Sequence, residues 1–94
     1  MKTIELDLTG CKYLPEIHNR IRVAFDFPEW YGGNWSAFWD LLWSECDADK
    51  VIIKGEYSLP DEFNKSLRKM HEILERNKNE RANNNIPFDY EIIN

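Results

Sequence analysis

The clearest absence in this 94-residue sequence is local: from Val23 to Asp49 there is no lysine or arginine. The same stretch holds Asp26, Glu29, Asp40, Glu45, Asp47 and Asp49. The chain totals -5 and these six acids contribute -6, so everything outside the stretch carries a net +1. The negative balance therefore sits in one continuous segment, which would attract a basic partner and speed its encounter. It also argues against nucleic acid as a direct partner, because phosphate binding needs cationic surface.

Other scarcities narrow the class. Cysteine occurs only at Cys11 and Cys46, without CxxC spacing or a nearby histidine, so neither a metal site nor a disulfide framework has support, and two buried thiols are expected. No run approaches the roughly 20 apolar residues of a membrane span, and the opening Met1 to Gly10 alternates where a secretion signal would have an apolar core. A cytoplasmic protein is expected. The two histidines, His18 and His71, fall on predicted helices without a serine or cysteine signature beside them, and are read as solvated surface groups. Gly32-Gly33 follows a loop and not a strand, so it is no phosphate-cradling turn.

What is present is enough apolar material for one core. Hydrophobic residues make up 43% and aromatic residues 14%, against 31% charged, which favours a single folded domain over residues 1–94 with no repeat and no linker. Thr3 to Leu8 alternates with period two and Thr9-Gly10 stops it, predicting a first strand. Leu14, Ile17, Ile21 and Phe25 predict a helix ending near Asp26. Phe27 to Gly33 breaks both periodicities and is a predicted loop; Asn34 is a good N-cap, and Trp35, Phe38, Trp39 and Leu42 predict a second helix to about Glu45.

Lys50 to Gly55 is a short apolar run bounded by charge and glycine, a predicted buried central or near-central strand. Phe63, Leu67, Met70, Ile73 and Leu74 mark a long third helix with Asp61 and Glu62 in its first turn, stopped by Asn83-Asn84-Asn85. Phe88 to Ile93 alternates as a third strand. Connections of helical length between strands demand a parallel sheet with right-handed crossovers. The expectation is an α/β fold: a three-stranded parallel sheet with the first strand central, and three or four helices on one or both faces.

The residues Phe27 to Asp47 hold four tryptophans, one tyrosine and two glycines. Trp35 and Trp39 stand at core spacing, whereas Trp30 and Tyr31 lie in the loop and Trp43 at the edge of the apolar stripe. Aromatics beside glycine and carboxylates are the composition of a protein-binding hot spot. At 100° per residue Asp40 lies opposite Phe38 and Leu42 and faces water, flanked by Ser36 and Ser44. Two other uses of these residues remain: Glu29 and Asp40 as acid and base of a hydrolase, or the aromatics as a protein- or carbohydrate-binding module. Lys65, Arg68, Lys69, Arg76, Lys78 and Arg81 alternate with Asp61, Glu62, Glu72, Glu75 and Glu80, which reads as a solvated, ion-paired helix face.

The run Phe27-Pro28-Glu29-Trp30-Tyr31-Gly32-Gly33-Asn34-Trp35-Ser36-Ala37-Phe38-Trp39-Asp40-Leu41-Leu42 resembles the signature of the barstar family, intracellular inhibitors of secreted ribonucleases with relatives among bacterial immunity proteins. The resemblance implies a non-enzymatic cytoplasmic protein, without cofactor or metal and monomeric alone, that plugs the active site of a basic ribonuclease toxin in a one-to-one complex.

By residue match, Asp40 takes the place of the family's central aspartate, Trp30 of a contact tyrosine, Asn34 of a loop asparagine and Trp39 of the helix tryptophan beside the interface. The implied contact surface adds Glu29, Tyr31, Gly32, Ser36, Trp43, Asp47 and Glu75. There are departures. Ser36 and Gly33 stand where the family carries acids, Trp43 has no aromatic counterpart, and the third-helix glutamate of the family falls at Glu75 or Arg76.

Overall fold

The computed structural model describes residues 2–93 and shows three strands and three helices in the order β1 (Thr3–Asp7), α1 (Leu14–Ala24), α2 (Trp35–Ser44), β2 (Lys50–Lys54), α3 (Asn64–Asn83) and β3 (Asp89–Ile93). Asp61 and Glu62, expected in the first turn of α3, belong instead to a separate 3-10 turn ahead of it, Asp61–Phe63. Both strand pairings are parallel: Ile4 lies beside Val51 and Leu6 beside Ile53, and across the sheet Val51 lies beside Tyr90 and Ile53 beside Ile92.

The strand order is β1-β2-β3, which corrects the expectation of a central β1. The reason lies in the far face. At the centre of that face β2 has the half-buried Ile52, whereas β1 turns Thr3, Glu5 and Asp7 outward and β3 turns out Asp89 and Glu91, with Ile93 only at its exposed end. Strands with polar outer positions tolerate an edge, and the more apolar strand goes between them.

The helices cover one face alone, since the buried positions of β1 and β2 are Ile4, Leu6, Val51 and Ile53 while the alternate ones are open or half-open. On the uncovered face Lys54 reaches Glu5 at 3.3 Å and Lys50 reaches Glu91 at 3.4 Å. Each lysine of the central strand thus meets an acid on a different edge strand.

The core fills the space between this sheet and the helices. Ile17 and Ile21 of α1, Phe38 and Leu42 of α2, and Met70 and Leu74 of α3 are fully or nearly fully buried on it. Helix α1 begins where Glu16 Oε1 accepts from the backbone N–H groups of Lys12 and Tyr13, both at 3.0 Å. It ends where Asp26 adopts a left-handed φ of 55°, close to the expected boundary. That turn sends Phe27 back inward, its ring stacked 5.2 Å from Phe25.

Two polar side chains expected in water are buried instead. His18 is 4% exposed and Arg81 is 8% exposed. Both lie on apolar stripes: His18 follows Ile17, and Arg81 continues Leu67, Met70, Leu74 and Asn77 at alternating steps of three and four. Position on the stripe prevails over polarity because each finds a partner.

Candidate surface on the second helix and its loop

The loop before α2 is anchored by one aromatic and displays another. The backbone N–H of Tyr31 donates to the Pro28 carbonyl at 2.9 Å, closing a turn that points Tyr31 and Trp30 in opposite directions. Tyr31 is only 9% exposed, packs against Phe27, and joins its hydroxyl to Nδ1 of His18 at 2.7 Å. It is an anchor of the loop and not the surface aromatic expected from the sequence. Trp30, by contrast, is 72% exposed.

Burial pushes the Tyr31 hydroxyl well above and the His18 imidazole below their ordinary pKa values, since both charged forms would lose solvation. The pair is therefore neutral near pH 7. The Trp35 ring closes on His18 from the other side, 4.5 Å between centroids.

Gly33 has a φ of 66°, a left-handed conformation that glycine adopts without steric cost, and this delivers Asn34 to the start of α2. Asn34 Oδ1 accepts from the Ala37 N–H at 2.8 Å, the expected N-cap, and its Nδ2 reaches the Gly32 carbonyl at 3.4 Å. Asn34 thus ties loop to helix. From there Phe38, Leu41 and Leu42 turn inward, and Ser36, Asp40, Trp43 and Ser44 turn out, as the helical wheel requires.

The far end of α2 is held by a residue that sequence reasoning placed in solvent. The Arg81 guanidinium donates from Nη2 to the carbonyls of Leu42 at 3.0 Å, Trp43 at 3.3 Å and Cys46 at 2.9 Å, while Nε donates to Asn77 Oδ1 at 3.1 Å. Helix ends leave carbonyls unpartnered, and a cation there also opposes the negative end of the helix dipole. The signal was the step from Leu74 to Asn77 to Arg81. Following that stripe past its last apolar member would have found it.

The exposed surface of α2 carries a free carboxylate and an aromatic pair. Among the described residues no hydrogen bond or ion pair engages the Asp40 carboxylate; Ser44 donates only to the Asp40 backbone carbonyl, at 2.7 Å. Trp39 and Trp43 stack at 6.0 Å with planes 19° apart, Trp43 being 41% exposed. Trp39, half-buried, carries the Arg76 guanidinium 4.1 Å above its ring.

A groove of about 380 Å3 runs between α2 and α3 beside these residues. Its α2 wall is Trp35, Ser36, Trp39 and Asp40, and its α3 wall includes Lys69, Glu72 and Arg76.

Three expected members of the surface stand elsewhere. Glu29 lines a separate cleft of about 450 Å3 between α1 and the loop, with His18, Arg22 and Gly32. That separation leaves Glu29 and Asp40 without the shared cleft an acid and base pair would need. Asp47 accepts a hydrogen bond and ion pair from Lys2 at 2.8 Å, which holds its carboxyl below the usual carboxylate range and raises Lys2. Asp49 also takes the Lys2 backbone N–H, at 3.3 Å, so this end of the acidic segment is partly neutralised within the chain.

Glu75 faces β3, where the Tyr90 hydroxyl donates to it at 3.4 Å. Of the two positions the sequence left open, Arg76 is the one that shares a groove with Asp40.

Cys11 and Cys46 are both buried and unpaired, and burial raises both thiols. No three His, Cys, Asp or Glu side chains among the described residues gather as metal ligands, and no helix there is long and apolar enough to cross a membrane. What the surface offers is an exposed anion on a well-anchored helix, with indole rings beside it. No curated protein matches the chain. A family model described as Barstar (barnase inhibitor) matches residues 1–93.

Proposed function

The chain belongs to the barstar family, and from that premise we propose that it is an immunity protein which binds a cognate bacterial ribonuclease toxin and blocks its active site with α2 and the preceding loop. The observation that carries the reading is the Asp40 carboxylate, outward on α2 and free of any partner among the described residues. A ribonuclease gathers arginine, lysine and histidine where the phosphodiester lies. A carboxylate held on a rigid helix can take the place of that phosphate and accept charge-assisted hydrogen bonds from the same groups.

The surroundings support such a plug. Asn34 at one end and Arg81 at the other hold α2 in place, so little conformational freedom is lost when Asp40 docks. Trp30 and Trp43 supply apolar contact area around the charge, with Ser36 and Trp39 of the groove completing the contact face and Gly32 adding exposed loop backbone at its margin. Tyr31 acts indirectly, by fixing the loop that presents Trp30. Glu29 and Asp47 lie outside the groove and serve as steering charges, Asp47 weakly because of Lys2. Glu75, exposed but hydrogen-bonded to Tyr90 at 3.4 Å, stands at the margin of the contact set.

The complex is one-to-one, formed in the cytoplasm where the chain guards its own cell, and it uses no cofactor. The test is co-expression of the chain with a panel of bacterial ribonucleases, barnase among them, scored by survival of the host. Rescue from at least one enzyme by the native chain, lost with Asp40→Ala, is the expected result. Rescue that is independent of Asp40, or no rescue from any ribonuclease, would refute the proposal.

A further inference from the structure

The acidic segment has no cation of its own, yet the folded groove beside Asp40 contains two. Packing of α3 against α2 brings in Lys69 and Arg76, about two turns apart on α3, with Glu72 between them. The surface next to the plug is therefore of mixed sign: Asp40 and Glu72 negative, Lys69 and Arg76 positive. Arg76 is also held in place. Its guanidinium lies 4.1 Å over the Trp39 ring, and its only ion pair among the described residues is with Glu80, at a loose 3.8 Å. Among the described residues no hydrogen-bond acceptor engages its other N–H donors. A guanidinium already stacked on an indole loses less freedom on pairing than a mobile side chain does.

Resting on the inhibitor reading, the geometry points to a specificity device: the cognate ribonuclease carries an acidic side chain on its rim, beside the cationic pocket that receives Asp40, and that carboxylate docks on Arg76 with Lys69 nearby. A nuclease with a uniformly basic rim meets like charge at Arg76 and is rejected there, while its active site still attracts Asp40. Discrimination between partners commonly needs such a repulsive element beside the attractive one.

The test displays barnase with its active-site rim randomised and selects binders with the full chain and with Arg76→Glu, Arg76→Gln and Asp40→Ala. Expected is enrichment of Asp or Glu at one rim position by the native chain, enrichment of Lys or Arg at the same position by Arg76→Glu, and loss of either preference with Arg76→Gln. Clones chosen by the native chain should bind Arg76→Glu roughly tenfold or more weakly at low salt. Arg76→Gln, which adds no repulsion toward Glu72 or Glu80, guards against a misfolded charge reversal. If all Arg76 variants enrich the same rim residues while binding still depends on Asp40, the specificity proposal is wrong and the inhibitor reading stands. If no selected binder depends on Asp40, both fall.

Discussion

The uncovered face of the sheet and the outer face of α2 are both charged surfaces, but they treat charge differently. On the sheet, Lys50 and Lys54 meet Glu91 and Glu5 across neighbouring strands, so the charge is largely satisfied inside the chain. On α2 the Asp40 carboxylate has no such partner among the described residues, although α3 brings Lys69 and Arg76 into the same groove. Paired charge keeps a parallel sheet in water on one side and discourages edge pairing. A free carboxylate on a braced helix does neither. The contrast separates charge that serves the fold from charge left available to another molecule.

The largest effect that would break this contrast is on α2's support. Arg81→Ala leaves three carbonyls and Asn77 Oδ1 without their donor, and should cost about 2–4 kcal/mol in urea denaturation, since buried groups lose their partner. A loss under about 0.5 kcal/mol would mean that the helix end does not depend on it.

Next comes Asp40→Ala, which should weaken ribonuclease binding by about 2 kcal/mol or more, roughly 30-fold, while the denaturation midpoint barely moves. Equal and opposite behaviour, a stability loss with binding intact, would place Asp40 with the sheet charges.

A smaller effect is expected from pH. His18 has a folded pKa depressed by burial, so its contribution is complete above the unfolded value of about 6.5 and is lost as pH falls from there through the folded value, because the unfolded chain takes up the proton first. Stability measured between pH 7 and pH 5 should fall for the native chain and fall less for His18→Gln. The smallest effect is Glu5→Ala on the open sheet, at most about 1 kcal/mol, with binding untouched. An appreciable loss of binding there would extend the contact surface to the sheet.

Much of the architecture was legible because it follows from short-range pattern. Alternation at Ile4 and Leu6 and the three-and-four spacing of Leu14, Ile17 and Ile21 place β1 and α1 without help from the rest of the chain. Asn34 could be named as the cap of α2, and Asp40 turned outward, from the helical repeat alone. Strand order is a different kind of fact. It depends on which strand gains most from neighbours on both sides, and the clue was Ile52, the one apolar residue on the open face of the middle strand.

Loop residues have no period, so nothing in the sequence distinguished the inward Tyr31 from the outward Trp30; that choice is made by His18, thirteen residues earlier. Polar residues on apolar stripes misled for a related reason. His18 and Arg81 are buried beside partners distant in sequence, the Tyr31 hydroxyl at Nδ1 of His18 and the carbonyls at the end of α2 for Arg81, and those partners are set by packing. The approach of Arg76 to Trp39 belongs to the same class, and it alters the local charge that the sequence had described as purely acidic.

In the proposed function the Asp40 carboxylate is held free for a ribonuclease. That role is tested most directly by titrating a ribonuclease that the chain inhibits with the native protein and with Asp40→Asn, a near-isosteric change, at low and high salt. The native chain should bind more weakly as salt rises, and Asp40→Asn should bind at least about 30-fold more weakly at low salt with a shallower salt dependence. Equal affinity for the two proteins, with parallel salt dependence, would contradict that role.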